Sequence, residues 1–88
     1  MPTISRFYGM LIIMFYREKK KKKPHFHVRY NEFDAKFSIN DFSLIKGKLP
    51  THALTLIKEW AGLHQQELLD NWERIKNSEP LQKIEPLV

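Results

Sequence analysis

Cysteine is absent from this 88-residue chain, and glycine occurs only three times. The first absence excludes a disulfide framework, a thiolate nucleophile and any cysteine-ligated zinc, and it suits a reducing compartment. With so little glycine there is no Gly-rich loop to cradle a nucleotide phosphate, and no serine stands in a nucleophile-elbow motif. A conventional cofactor-dependent enzyme is therefore not expected, and no cofactor is assigned. Long hydrophobic runs are missing too. Met10 to Tyr16 is far shorter than the roughly 20 residues a helix needs to cross a bilayer. Lysines follow this run instead of preceding it, and no small-residue cleavage site appears, which argues against a signal peptide. The expected location is the cytoplasm, with no membrane association.

Positive charge is what the chain has in excess. Fifteen Lys and Arg against ten Asp and Glu give a net charge of +5, a bias toward phosphate-rich or acidic surfaces. Hydrophobic content of 42% and charged content of 28% are ordinary for a folded domain, and the length allows one modest core. The expectation is a single domain over residues 1–88, strand-rich over 3–46, helical over 50–77, with a tail over 78–88.

The period of the apolar residues separates these regions. Residues 9 to 17, "GMLIIMFYR", are apolar at nearly every position, as in a strand buried on both faces. From His25 the pattern alternates, with Phe26, Val28 and Tyr30 on one side and His25, His27 and Arg29 on the other. Phe33, Ala35, Phe37 and Ile39 alternate in the same way against Asp34, Lys36 and Ser38. A two-residue turn at Asn31 and Glu32 joins the two strands, placing Arg29 opposite Asp34, His27 opposite Lys36 and His25 opposite Ser38. From Pro50 the period becomes helical, with Ala53, Leu56, Ile57, Trp60, Leu63, Leu68, Trp72 and Ile75 forming a stripe. An unbroken helix over 50–77 would reach about 42 Å, too long for so small a domain, which predicts a bend near Gly62 or a protruding end. The fold class is α+β: an antiparallel meander of three or four strands, then a long or bent helical region packed on one face. The tail "LQKIEPLV" is expected to dock on the sheet and cover the second face of the first apolar strand.

Three constellations carry candidate chemistry. The segment "KKKKKPHFHVRY" sets a lysine run against His25 and His27, two imidazoles on one side of a strand about 6.6 Å apart along the backbone. Asp34 is committed to Arg29 in this register and Lys36 repels a cation beside His27, so the pair reads as partly exposed strand histidines making local hydrogen bonds, and no metal is assigned. The same neighbourhood reads better as an anion-binding surface built from Arg17, Lys19, Lys20, Lys21, Lys22, Lys23, Arg29 and Lys36, suited to RNA or DNA phosphates. The third constellation is helical. His64, Glu67 and Asn71 fall at i, i+3 and i+7 within the apolar stripe, where polar groups need partners. His64 with Glu67 is also a candidate acid/base pair, and with His25 and His27 it completes the catalytic candidates for a small hydrolase or nuclease.

The opening "MPTISRFYGM", the central "PHFHVRY", "GKLP", "EWAGLHQQELLDNW" and the closing "KIEPL", in that order, resemble the small bacterial family named domain of unknown function 4160. The resemblance implies a small stand-alone protein encoded beside a second small protein, in an arrangement similar to toxin-antitoxin pairs. The recurrent residues it implies are His25, Phe26, His27, Val28, Trp60, His64, Glu67, Leu68 and Trp72. Relatives tend to carry a further histidine and a second proline just before "PHFHV", where this chain has Lys21 and Lys23. That departure removes a third metal ligand and strengthens phosphate attraction. The expected function is a partner-binding component of a toxin-antitoxin-like or regulatory module, the partner being a small protein encoded nearby or a second copy of the chain. Nucleic-acid binding and His-dependent hydrolysis are the alternatives.

Overall fold

Tyr8 and Gly9 both take positive φ, 49° and 79°, the conformation of the two-residue turn whose twist matches that of paired strands. The turn closes a hairpin between β1 (Thr3–Phe7) and β2 (Met10–Ile13), with Phe7 opposite Met10. The computed structural model describes residues 3–15 and 23–87. The far end of the strand expected over 9–17, and Arg17 and Lys19–Lys22 of the expected cationic surface, lie outside the described residues. β3 (His25–Tyr30) and β4 (Phe33–Ser38) pair with Tyr30 opposite Phe33 and Val28 opposite Ala35, the register that alternation predicts. β5 (Leu44–Gly47) completes an antiparallel sheet in the order β1-β2-β3-β4-β5. The sheet thus has five strands where three or four were expected. The last is only four residues long and its pairing shifts between Lys36 and Phe37, so period-2 alternation never becomes legible there.

One face of the sheet builds the core. Ile4, Met10, Ile12, Phe26, Val28, Ala35 and Phe37 lie buried against Ile57, Trp60, Leu68, Trp72 and Ile75. Phe26 and Phe37 stack at 5.6 Å, while the Trp60 ring lies 6.1 Å from Phe26 and 5.3 Å from Phe7. The helical region is two helices, α1 (Thr51–Leu63) and α2 (Gln65–Lys76), with the break at His64. Pro50, φ −59°, stands just before the first turn and its carbonyl accepts the Leu54 N–H at 3.0 Å. The break thus falls near Gly62, as expected, though the glycine itself does not make it. A methyl group there would meet nothing within 4 Å, and the break falls two residues later, where the Gln65 amide donates to the Ile39 and Asn40 carbonyls at 2.9 and 3.1 Å. Those bonds tie the start of α2 to the end of β4. Leu63, expected on the buried stripe, is 69% exposed because the helix breaks beside it. α2 ends on Ser78 at φ 57°, with Ser78 N–H bonded to Ile75 O and Glu79 N–H to Arg74 O, the paired bonds of a Schellman stop. None of the helices among the described residues is long and apolar enough to cross a membrane.

The tail takes a different place from the one expected. It runs beside the free edge of β1, where the Ile84 N–H donates to Ile4 O at 2.8 Å, instead of covering the second face of β2. Buried polar side chains of the helices hold it there. Asn71 donates to Gln82 O at 2.9 Å and accepts the Gln82 N–H at 3.0 Å, and the Trp60 indole N–H donates to Glu85 O at 2.8 Å.

Two substitutions test this account. Gly62→Ala should stabilise the protein by about 0.4–1 kcal/mol by restricting the unfolded chain, read as a rise in Tm of roughly 2–6 °C. Asn71→Ala removes two buried hydrogen bonds and should cost about 2 kcal/mol, with the Gln82 and Ile84 amides gaining the most in hydrogen-exchange rate.

Candidate functional site

The face of the sheet turned away from the helices carries the charge. Cross-strand pairing sets its side chains in rows. One row joins Leu11, Arg29 and Asp34; the next joins Ile13, His27, Lys36 and Lys46 across β2, β3, β4 and β5. In the first row Arg29 Nε donates to Asp34 Oδ1 at 3.1 Å, so the carboxylate at the rim is occupied. The second row sets Lys36 directly opposite Lys46, a like-charge pairing that weakens a sheet. Among the described residues, no carboxylate forms an ion pair with either lysine. Between these rows lies an open groove of about 660 Å³, lined by Ile13, Phe15, His27, Arg29, Lys36 and Lys46 among others. Its apolar surface comes from the partly exposed Phe15, whose ring stands edge-on to His27 at 4.7 Å, while Ile13 beside it is only 1% exposed.

Of the cations expected at an anion site, Lys36 and Arg29 line this groove. Lys23 lines a smaller depression of about 370 Å³ beside it, shared with His25, Lys36, Ser38, Asp41 and Ile45. Asp41 puts a carboxylate beside those lysines. It accepts the Ser43 N–H at 3.0 Å, and that bond holds its carboxyl below the usual range. Sequence reasoning missed two members. Lys46 sits on the strand too short to be read from its period, and Phe15 was absorbed into a run whose second face had no assigned role.

The two strand histidines differ from each other. Their rings lie 5.3 Å apart, as a shared side requires. His25, however, is buried, 3% exposed, with the Trp72 ring at 4.9 Å and its Nδ1 bonded to the Lys23 carbonyl at 2.8 Å. The expectation of partial exposure holds for His27 and fails for His25, because Trp72 of α2 reaches it. Among the described residues no three His, Cys, Asp or Glu side chains converge as a metal site would require.

His64 and Glu67 belong to another part of the molecule. His64 Nδ1 and Glu67 Oε1 meet at 2.5 Å beside the helix break, with the Trp60 ring 5.6 Å from His64. Glu67 lines a depression of about 640 Å³ with Ser5, Arg6 and Lys83, between β1 and the tail. The Ser5 hydroxyl there is buried with no hydrogen-bond partner among the described residues. The four catalytic candidates therefore separate: His27 faces the groove on the outer side of the sheet, and Glu67 faces the tail.

A family profile described as domain of unknown function (DUF4160) matches residues 9–73. The chain belongs to the DUF4160 family. No curated protein and no solved structure matches it. In this DUF4160 protein the matched span runs from the first turn to near the end of α2, and so includes the whole outer groove, Trp60 and the His64–Glu67 pair. β1 and the tail, which pair with each other, fall outside it.

The opposed lysines yield a measurable consequence. Lys46→Glu turns a repulsive cross-strand pair into an attractive one and should raise stability by about 0.2–1 kcal/mol. The gain should shrink as salt is added, since exposed charges are screened; unchanged or lowered stability at low salt would mean that the two ammonium groups do not repel.

Proposed function

We propose that this DUF4160 protein acts by binding, as the cationic member of a small two-protein module of toxin-antitoxin-like or regulatory type. In this reading it takes an extended acidic segment of its partner along β5. The observation that carries the proposal is the asymmetry of the two sheet edges. β1 is covered by the protein's own tail through the Ile84–Ile4 bond. β5 ends the sheet, all four of its residues are exposed, and Leu44 and Ile45 are large apolar side chains 40% and 48% exposed. A bare edge is a template for strand addition. The charge around it, from Lys36, Lys46 and Lys48, fits carboxylates on the incoming strand and disfavours a second copy of β5, which would bring lysines together.

The test is co-expression with the product of the adjacent small gene, followed by titration of the purified pair. A stoichiometric complex is expected. The double variant Ile45→Asp, Lys46→Glu should weaken it at least tenfold, about 1.4 kcal/mol. Absence of a complex, or one that this variant leaves intact, rejects β5 as the docking edge.

A second reading has its own support in the Lys36–Lys46 row beside His27: phosphate binding. Both readings draw on Lys36 and Lys46, so an acidic strand and a phosphate compete for that row. Affinity for a duplex should then fall with salt, and replacing Lys36 and Lys46 by serine should flatten the logarithmic slope by about 0.9 for each phosphate no longer neutralised.

A further inference from the structure

We infer that the outer groove binds one nucleotide of a single-stranded nucleic acid, its base against Phe15 and its phosphate on Lys36 and Lys46. The inference rests on the phosphate-binding reading above and goes beyond it by assigning the strandedness of the ligand. Lysines alone would give a surface indifferent to the form of the polymer, because duplex and single strand both carry phosphates. The groove adds something a duplex cannot use. Its apolar end is Phe15, partly exposed and edge-on to His27, with Ile13 buried beside it. A paired base is stacked inside the helix and cannot enter a groove on a flat sheet. An unpaired base presents its whole π-face to an aromatic side chain.

The charges lie on the strands farther from that end. Ile13 is on β2 and His27 on β3, while Lys36 and Lys46 occupy β4 and β5 in the same row. Neighbouring strands are about 4.8 Å apart, so the apolar end and the paired lysines are separated by roughly 10 Å or more, the reach of a base and the phosphate attached through its sugar. The groove wall carries the Asp34 carboxylate, and Arg29 holds it at 3.1 Å. The like-charge opposition of Lys36 and Lys46 is relieved when a phosphate lies between them. An acidic peptide would also satisfy the lysines, but it offers no planar ring to the Phe15 end, and the β5 edge serves such a segment better. The volume of about 660 Å³ lies within the range of small-ligand sites.

The experiment compares fluorescence anisotropy of a short uridine homopolymer, a short deoxyadenosine homopolymer and a blunt DNA duplex of equal phosphate count. They are titrated with wild-type protein and with Phe15→Ala, Phe15→Tyr and the double variant Lys36→Ser, Lys46→Ser. The single strands should bind more tightly than the duplex. Phe15→Ala should weaken them about tenfold while changing duplex affinity less than twofold, and Phe15→Tyr, which keeps the ring, should restore the difference. The double lysine variant should weaken all three ligands. Equal affinity for single strand and duplex, or a Phe15→Ala loss shared by both, overturns the nucleotide site and leaves the phosphate reading standing. No binding of any of the three at low salt overturns both readings. Displacement of the bound uridine homopolymer by polyglutamate at lower concentration than by unlabelled homopolymer assigns the groove to an acidic protein segment and overturns the inference. Thermal unfolding of each variant separates loss of the site from loss of the fold. If Phe15→Ala unfolds, Phe15→Leu removes the π-face while keeping apolar bulk, and retention of full single-strand preference in it counts as refutation.

Discussion

Burial of the Trp60 indole is the constraint on which the rest of this structure depends. The side chain has no accessible surface, touches Phe7 of β1 and Phe26 of β3, and lies beside His64 at the helix break. An indole brings a large apolar area into a core and also an N–H that must be satisfied there. The acceptor is Glu85 O in the tail. One residue thus joins sheet, helix and tail. Because the tail is drawn in by that bond and by the two bonds of Asn71 to Gln82, it meets the edge of β1, where the Ile84 N–H bonds to Ile4 O.

Closing one edge has a consequence at the other. A five-stranded antiparallel sheet has two edges, and the tail covers the first. β5 is left with exposed Leu44 and Ile45, followed by Lys46 and Lys48. Edge lysines are a common defence against edge-to-edge aggregation, and they serve that purpose here against like copies. In the proposed reading the same charges favour an acidic strand. Specificity of this kind arises from what is repelled as much as from what is attracted.

The two faces of the sheet divide the labour in a comparable way. Phe26, Val28, Ala35 and Phe37 build the core, and their sequence neighbours His27, Arg29, Asp34 and Lys36 form the outer surface. Since side chains alternate strictly along a strand, fixing the core face fixes the outer one, and a slip of one residue would exchange them. The apolar end of the groove on the outer face adjoins β2, whose Ile13 is buried on the side where the other strands present charge. Its run of consecutive apolar residues is therefore used on both sides, as core and at the end of a groove.

The sequence by itself determined the α+β class, the β3–β4 register with Arg29 facing Asp34 and His27 facing Lys36, and the switch from strand to helix near Pro50. Each of these is encoded locally, in a period of two or 3.6 residues or in a short turn. The tertiary structure alone decided three things. It set the break near Gly62 at His64 in particular, where Gln65 is held by carbonyls at the end of β4, 25 and 26 residues earlier in the chain. It buried His25 under Trp72, although alternation places His25 on the open face, because a helix distant in sequence reaches that end of the sheet. It also set Lys46 beside Lys36 through a four-residue strand with a register shift. In the first two cases the deciding interaction joins residues far apart in the chain, and no local period carries information about which distant group will arrive; in the third the strand is too short to show a period.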